Sequence, residues 1–244
     1  MKQLVLWDID RTLVRCGPAA RRAIERAARR ALDGRVDWSE DTIPLVEMSG
    51  GTDPAILLEL WACASLDDGQ CRELLDVALG HLVEEMEAAA GQFPVDGHRL
   101  AGVPEVLARL DESGDVLQTI LTGNTRSNAV IKLRAFGLDP WFDLDIGAFG
   151  SDHADRNRLG PLALERATAK HEVTFDSADV WIVGDTPKDL GCAMAIGARC
   201  LLVATGTYTV DDLADLGADE VLADLADVDR VVDLVLGSTG GGGR

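Results

Sequence analysis

The chain has 244 residues, 47% of them hydrophobic, and its 42 acidic against 23 basic side chains leave a formal net charge of -19. That length accommodates one α/β domain with a smaller insertion, and the charge repels nucleic acid and anionic membrane surfaces, so neither is expected as a partner. No apolar run reaches the length of a membrane span, Asp8 comes too early for a signal peptide, and the five cysteines form no C-x-x-C pair and no metal-ligand spacing with the histidines, which predicts free thiols in a reducing cytoplasm.

Residues 3–7, QLVLW, have no polar face and read as a strand covered on both sides, with Asp8 where it ends. Open α/β sheets bind their ligands at that edge. Asp8 and Asp10 are spaced to converge on one cation, with the Thr12 hydroxyl nearby, because carboxylates this close repel unless a metal or a proton relieves them. Turn-forming aspartates that cap a helix are the alternative. Residues 18–32 predict a helix whose Arg21, Arg22, Arg26, Arg29 and Arg30 share a broad face expected to stay in water. Residues 35–52, with Trp38 and Pro44, read as irregular. Thr52 or Asp53 then caps a helix that has Pro54 near its start, and a longer amphipathic helix is expected over 70–90.

From residue 93 the pattern alternates: helix 102–111, strand 117–121, helix 127–136, strand 146–149, helix 159–171, strand 180–183, helix 188–196, strand 200–204, helix 211–216, strand 220–222, helix 228–236. Such alternation implies right-handed crossovers and a doubly wound parallel sheet, to which the first strand also belongs. Residues 1–15 and 93–236 are therefore predicted as an α/β core and 16–92 as an inserted all-α domain, hinged near 14–18 and 91–97. The glycine-rich stretch 237–244 is expected to be a flexible tail, and His98 a surface residue.

Two more strand ends carry chemistry. In Leu121-Thr122-Gly123-Asn124 a hydroxyl, a residue without Cβ and an amide lie between strand and helix, a good arrangement for holding an anion, although ordinary turns use the same residues. In Gly184-Asp185-Thr186-Pro187-Lys188-Asp189 an apolar strand again stops at a carboxylate, and Asp189 falls in the first turn of the next helix. Carboxylates without a His or Cys cluster suit a hard cation such as Mg²⁺ rather than Zn²⁺.

The runs DIDRTL at 8–13, LTGN at 121–124 and GDTPKD at 184–189, in this order and with a helical insertion after the first, resemble the haloacid dehalogenase (HAD) superfamily, and within it phosphatases with a helical cap of the phosphoglycolate phosphatase group. The resemblance implies a Mg²⁺-dependent phosphatase of small phosphorylated metabolites, monomeric or homodimeric. It implies Asp8 as nucleophile toward phosphorus, Asp10 as general acid and base, and Thr122 with Gly123 and Asn124 around the phosphoryl oxygens. Mg²⁺ would be bound by Asp8, the Asp10 carbonyl and Asp185, with Asp189 placing metal-bound water. An acid at position 10 favours an alkoxide leaving group over halide, since only the former needs a proton. Two residues depart from the family pattern. Arg11 stands where glycine is usual, and no K-P pair precedes the last motif, so Arg156 first and Arg158 second are the stand-ins for its lysine. The loop 48–54, MSGGTDP, resembles the cap segment facing the metal, with Thr52 and Asp53 as candidate substrate contacts or simply helix caps. A phosphomutase of the same superfamily, or a catalytically weak member that binds phospho-ligands or proteins, are the other readings.

Overall fold

The computed structural model describes residues 2–35, 43–62 and 66–237; Trp38, Cys63 and the glycine run after Gly237 lie outside them. Strand β1 (Gln3–Trp7) is central because nothing on it after Gln3 requires water: Leu4, Val5, Leu6 and Trp7 are completely buried. In chain order follow β2 (Val14–Arg15), α1 (Pro18–Leu32), α2 (Asp53–Ala62), α3 (Asp68–Ala89), α4 (Phe93–Asp96), β3 (His98–Arg99) and α5 (Val103–Glu112). Then come β4 (Val116–Thr122), α6 (Arg126–Ala135), β5 (Ala148–Phe149), α7 (Leu159–His171), β6 (Val180–Gly184), α8 (Pro187–Ile196), β7 (Arg199–Val203), α9 (Val210–Ala214), β8 (Glu220–Leu222) and α10 (Val228–Leu236).

Six strands pair in parallel in the order β5-β4-β1-β6-β7-β8. Alternation along β1 sends Leu4 and Leu6 to a core with Leu159 and Ala163 of α7 and Leu190 of α8, while Val5 and Trp7 join Val106 of α5 and Val231 of α10. Both faces are thus covered, as the doubly wound reading requires. Trp7 stands opposite Ile120 of β4 and Val183 of β6, so Asp8, Thr122 and Asp185 emerge from the ends of three adjacent strands. That register is what assembles the site.

Among the described residues, the helices between β2 and β3 contain no strand. Small Ala23, Ala27, Ala28 and Ala31 on α1 let it lie close to α3, and Trp61 of α2 donates its indole N–H to the Ala28 carbonyl at 3.2 Å. The arginine face of α1 departs from the expectation of a fully solvated surface. Arg26 bonds Glu85 at 2.6 Å, and Arg30 bonds Glu84 and Glu85 at 2.7 and 2.8 Å, because α3 presents these two glutamates along the rim of the helix pair. Arg22 remains in water. Helix α3 begins two residues before the predicted start because Asp67 accepts from the N–H groups of Gly69 and Gln70, and Gln70 returns a bond to Asp67, a reciprocal cap.

The chain leaves and rejoins the sheet through β2 and β3, which pair antiparallel; each is two residues long, too short to leave a periodic signal. A Cβ on Gly97 would collide with the Arg15 carbonyl there. His98 is exposed, as predicted. Cys16, Cys71, Cys192 and Cys200 are buried free thiols, and no described helix is long and apolar enough to cross a membrane.

Candidate active site

Beyond Trp7 the backbone turns sharply: Ile9 receives N–H bonds from Leu13 and Val14, and Arg11 adopts φ 62°. This turn separates the two motif-one carboxylates. Asp8 faces Asp185 and Asp189, and one carboxylate oxygen from each of the three lies within 4.8 Å of the others. Asp10 instead directs Oδ2 to Lys132 Nζ at 2.6 Å and receives Asn124 Nδ2 at 2.8 Å. The expectation that the Asp8 and Asp10 carboxylates meet on one cation is corrected accordingly; two-residue spacing gives a common face only while the strand continues, and β1 ends at Trp7. Thr12 is buried but does not line the cavity.

Thr122 ends β4 completely buried, and its Oγ1 accepts from Asn124 Nδ2 at 2.8 Å, leaving the hydroxyl proton to donate. Asp189 sits in the first turn of α8, where Thr186 donates N–H and O–H to its Oδ2 at 3.0 and 2.7 Å. Its other oxygen takes Arg156 Nη2 at 2.5 Å, and the same nitrogen lies 3.1 Å from Asp8 Oδ1. Arg156 thus joins Asp8 and Asp189 in one buried charge cluster. Arg158, two residues on, is exposed and does not line the cavity.

Burial sets the electrostatics. Asp8 is pushed up to about 6 by loss of solvent, with Arg156 opposing and Asp189 and Asp10 adding to the rise. Asp185 is pushed up to about 8, again first by burial and then by Asp8 and Asp189. Its Oδ2 is buried without a hydrogen-bond partner, and a Cβ on Gly206 would run into that oxygen. Burial also opposes ionisation of Asp10, yet the Lys132 ammonium outweighs it and holds the carboxyl below its usual range. Three clustered carboxylates, one with an orphaned buried oxygen, form a hard-oxygen set that suits Mg²⁺.

The cap loop seals this edge. Asp53 donates its N–H to the Gly123 carbonyl at 2.8 Å, and its Oδ2 accepts from Thr125 N and Asn128 Nδ2 at 2.7 and 2.8 Å. Thr52 Oγ1 donates to the Ala154 carbonyl at 2.9 Å and accepts weakly from Ala55 N at 3.3 Å. Both residues thus fasten the loop; Asp53 lines the cavity and Thr52 does not. Gly123 is glycine because Gly51 and Thr52 pass directly over its Cα. Arg11, at its left-handed φ, donates to Ser49 Oγ at 2.8 Å and to Thr207 Oγ1. A cavity of about 310 Å³ results, lined by Asp8, Asp10, Thr122, Asn124, Arg156 and Asp185 on the core side and by Arg21, Ile24, Met48 and Ile56 on the helical side.

Lys132 and Asn128 had no place in the sequence reading. They stand four apart on the predicted helix 127–136, bracketed by Ala129 and Leu133, both buried; polar residues on such a face are the signal that points inward. Arg21, expected in water, lines the cavity because the first turn of α1 faces it.

The sequence matches the family described as haloacid dehalogenase-like hydrolase over residues 5–194, and the chain belongs to that family. A predicted phosphatase from Clostridium acetobutylicum shares the fold at a TM-score of 0.67 and 17% identity, covering 96% of this chain and 99% of that one. CbbY from Rhodobacter sphaeroides, solved in complex with phosphate, gives 0.64 at 19% identity over 93% and 96% of the two chains. A predicted phosphoglycolate phosphatase from Haemophilus somnus 129PT gives 0.63 at 18% over 94% and 97%. At these identities the likeness is one of fold. A search among curated proteins returns no significant match.

Proposed function

We propose that this hydrolase is a Mg²⁺-dependent phosphatase of small phosphomonoesters, acting in the reducing cytoplasm that its buried thiols suit. The observation that carries the reading is the meeting of Asp8, Asp185, Asp189 and Arg156 beneath one cavity with Thr122 at its edge.

Asp8 Oδ attacks phosphorus as the bond to the leaving oxygen breaks, giving an aspartyl-phosphate. Asp10 protonates the departing oxygen; as a carboxylate it then takes a proton from the water that attacks phosphorus and frees Asp8. Lys132 favours this second, anionic form, and with Asn124 it fixes Oδ2 of the carboxylate. Thr122 donates its hydroxyl to a phosphoryl oxygen, and Arg156 offsets charge between Asp8 and Asp189. Asp8, the Asp10 carbonyl and Asp185, with Asp189 behind them, would hold Mg²⁺, which would supply the positive charge that lets a carboxylate approach an anionic phosphate. The cap loop excludes water.

Hydrolysis of an aryl phosphate in Mg²⁺ buffer tests this. Asp8→Asn should lower kcat by about three orders of magnitude or more, with the fold retained by circular dichroism. A wild type that turns over no phosphate in a broad panel would instead favour a binding-only role, and recovery of an isomerised sugar phosphate would indicate a mutase.

A further inference from the structure

We infer that Arg11 latches a gate into the cavity: loop 48–50 swings away from loop 205–207 when the guanidinium releases Ser49, while the helices of the insertion stay in place. The gate serves the site of Asp8, so the inference rests on the phosphatase reading.

The cap loop is fastened to the core in two unlike ways. At its helix end the contacts are buried and one is between backbones: Asp53 N–H to the Gly123 carbonyl at 2.8 Å, Thr125 N and Asn128 Nδ2 to Asp53 Oδ2, and Thr52 Oγ1 to the Ala154 carbonyl. At the other end no backbone hydrogen bond ties residues 48–50 to the core. Arg11 Nη1 donates to Ser49 Oγ at 2.8 Å, Lys188 Nζ donates to the Ser49 carbonyl at 3.3 Å, and Ser49 Oγ lies 3.4 Å from Thr207 Oγ1. The acceptors are neutral, and the last two contacts are exposed, so water can replace them at little cost. Gly50, at φ 63°, and Gly51 separate the two ends and give the backbone its freedom there.

The opposite side of the seam is fixed. Thr205 Oγ1 donates to the Arg11 carbonyl, Arg15 Nη2 donates to the Thr205 carbonyl, and Arg11 also donates to Thr207 Oγ1. Ala204 N bonds the Leu222 carbonyl at 2.8 Å, and Gly206 packs on Asp185 Oδ2. Loop 205–207 is therefore the post and loop 48–50 the leaf. Arg11, Ser49 and Gly50 line the cavity, whereas the Ser49–Thr207 contact faces solvent, so this seam has the cavity on one side and water on the other. A glycine at position 11 would leave it without a bolt.

A reversible bridge across the seam tests the gate. In the double variant Ser49→Cys, Thr207→Cys the side-chain ends are near enough for a disulfide formed with diamide, or for a two-carbon methanethiosulfonate bridge where the direct bond does not close. Bridging should lower aryl phosphate hydrolysis about tenfold or more, with recovery in dithiothreitol and no loss in either single variant treated alike. Bridging in the presence of radiolabelled inorganic phosphate and Mg²⁺ should retain label through desalting until the thiol is added. Undiminished hydrolysis by the bridged protein overturns the inference, and so does loss of hydrolysis without retained label, which marks a distorted site. Relaxation-dispersion NMR of Arg11→Gln supplies a readout free of turnover: exchange is expected at residues 48–50 and not at Asp53 or Ile56. Exchange spread over the insertion, or none at 48–50, also overturns the gate. The phosphatase reading fails separately, through absence of aryl phosphate hydrolysis by the wild type, and the NMR measurement then still decides the gate.

Discussion

Asp185 is a carboxyl group in a place that disfavours its charge. Its ordinary value of 3.8 is raised to about 8 in the folded chain without metal, so between those pH values the folded state keeps a proton that the unfolded state has released. Stability of the metal-free protein should therefore fall as pH rises from about 4 to about 8 and level off above. Asp8, raised to about 6, adds to the lower part of that window in the same direction. Mg²⁺ bound there as proposed would compete with these protons, so the rise in Tm on adding it should be larger at pH 8 than at pH 5; an equal rise at both would contradict the assignment. Asp185→Asn should flatten the metal-free pH profile and abolish most of the Mg²⁺ increment. Lys132 poses the complementary case of a buried cation with two bonded partners. Lys132→Met takes the cation from Asp10 and the donor from Asn124 Oδ1, and since Asp10 keeps its bond from Asn124 Nδ2 and its side chain is 41% exposed, the loss is limited to about 2 kcal/mol in urea denaturation. Activity should fall mainly in kcat. The placement of Asp8, Thr122 and Asp185 at one sheet edge was legible in sequence because each ends an apolar strand. Lys132 was not, because on a helix its inward direction depends on what packs against it.

Among the elements, α1 and α3 show how far periodicity reaches. Apolar spacing placed both helices, but the partners of Arg26 and Arg30 depended on the register between two helices that no local pattern specifies. Glu85 is the better enclosed of the two acceptors, its side chain 15% exposed against 62% for Glu84. Glu85→Gln should cost about 1 kcal/mol, and less at high salt, whereas Glu84→Gln should cost little, both read from urea midpoints. The latch on Arg11 belongs to this scale as well: one guanidinium joins the motif-one turn, the cap loop at Ser49 and the β7–α9 loop at Thr207. The sequence marked Arg11 as unusual where glycine is common, yet nothing in it disclosed that the side chain spans three segments.

For the whole molecule, the doubly wound class was foreseeable and the resemblance of loop 48–54 to a cap segment implied the insertion over the sheet edge, but the contact that holds it there was not. That placement depends on backbone passing over backbone at Gly123, where a methyl group would strike Gly51 and Thr52. Gly123→Ala should therefore cost about 2 kcal/mol and speed amide exchange across residues 48–60, with exchange in β1 and β6 little changed; uniform acceleration everywhere would show that the contact stabilises the fold generally.

The short ladder between Val14–Arg15 and His98–Arg99 has a consequence for how such chains diversify. Departure and return share one pair of neighbouring segments, so the sheet sees the entire excursion as a single tethered appendage. Exchange of that appendage for a foreign one, spliced at the same two points, leaves the strand connections undisturbed, and a transplant between relatives becomes a direct route to altered selectivity on an unaltered reaction centre.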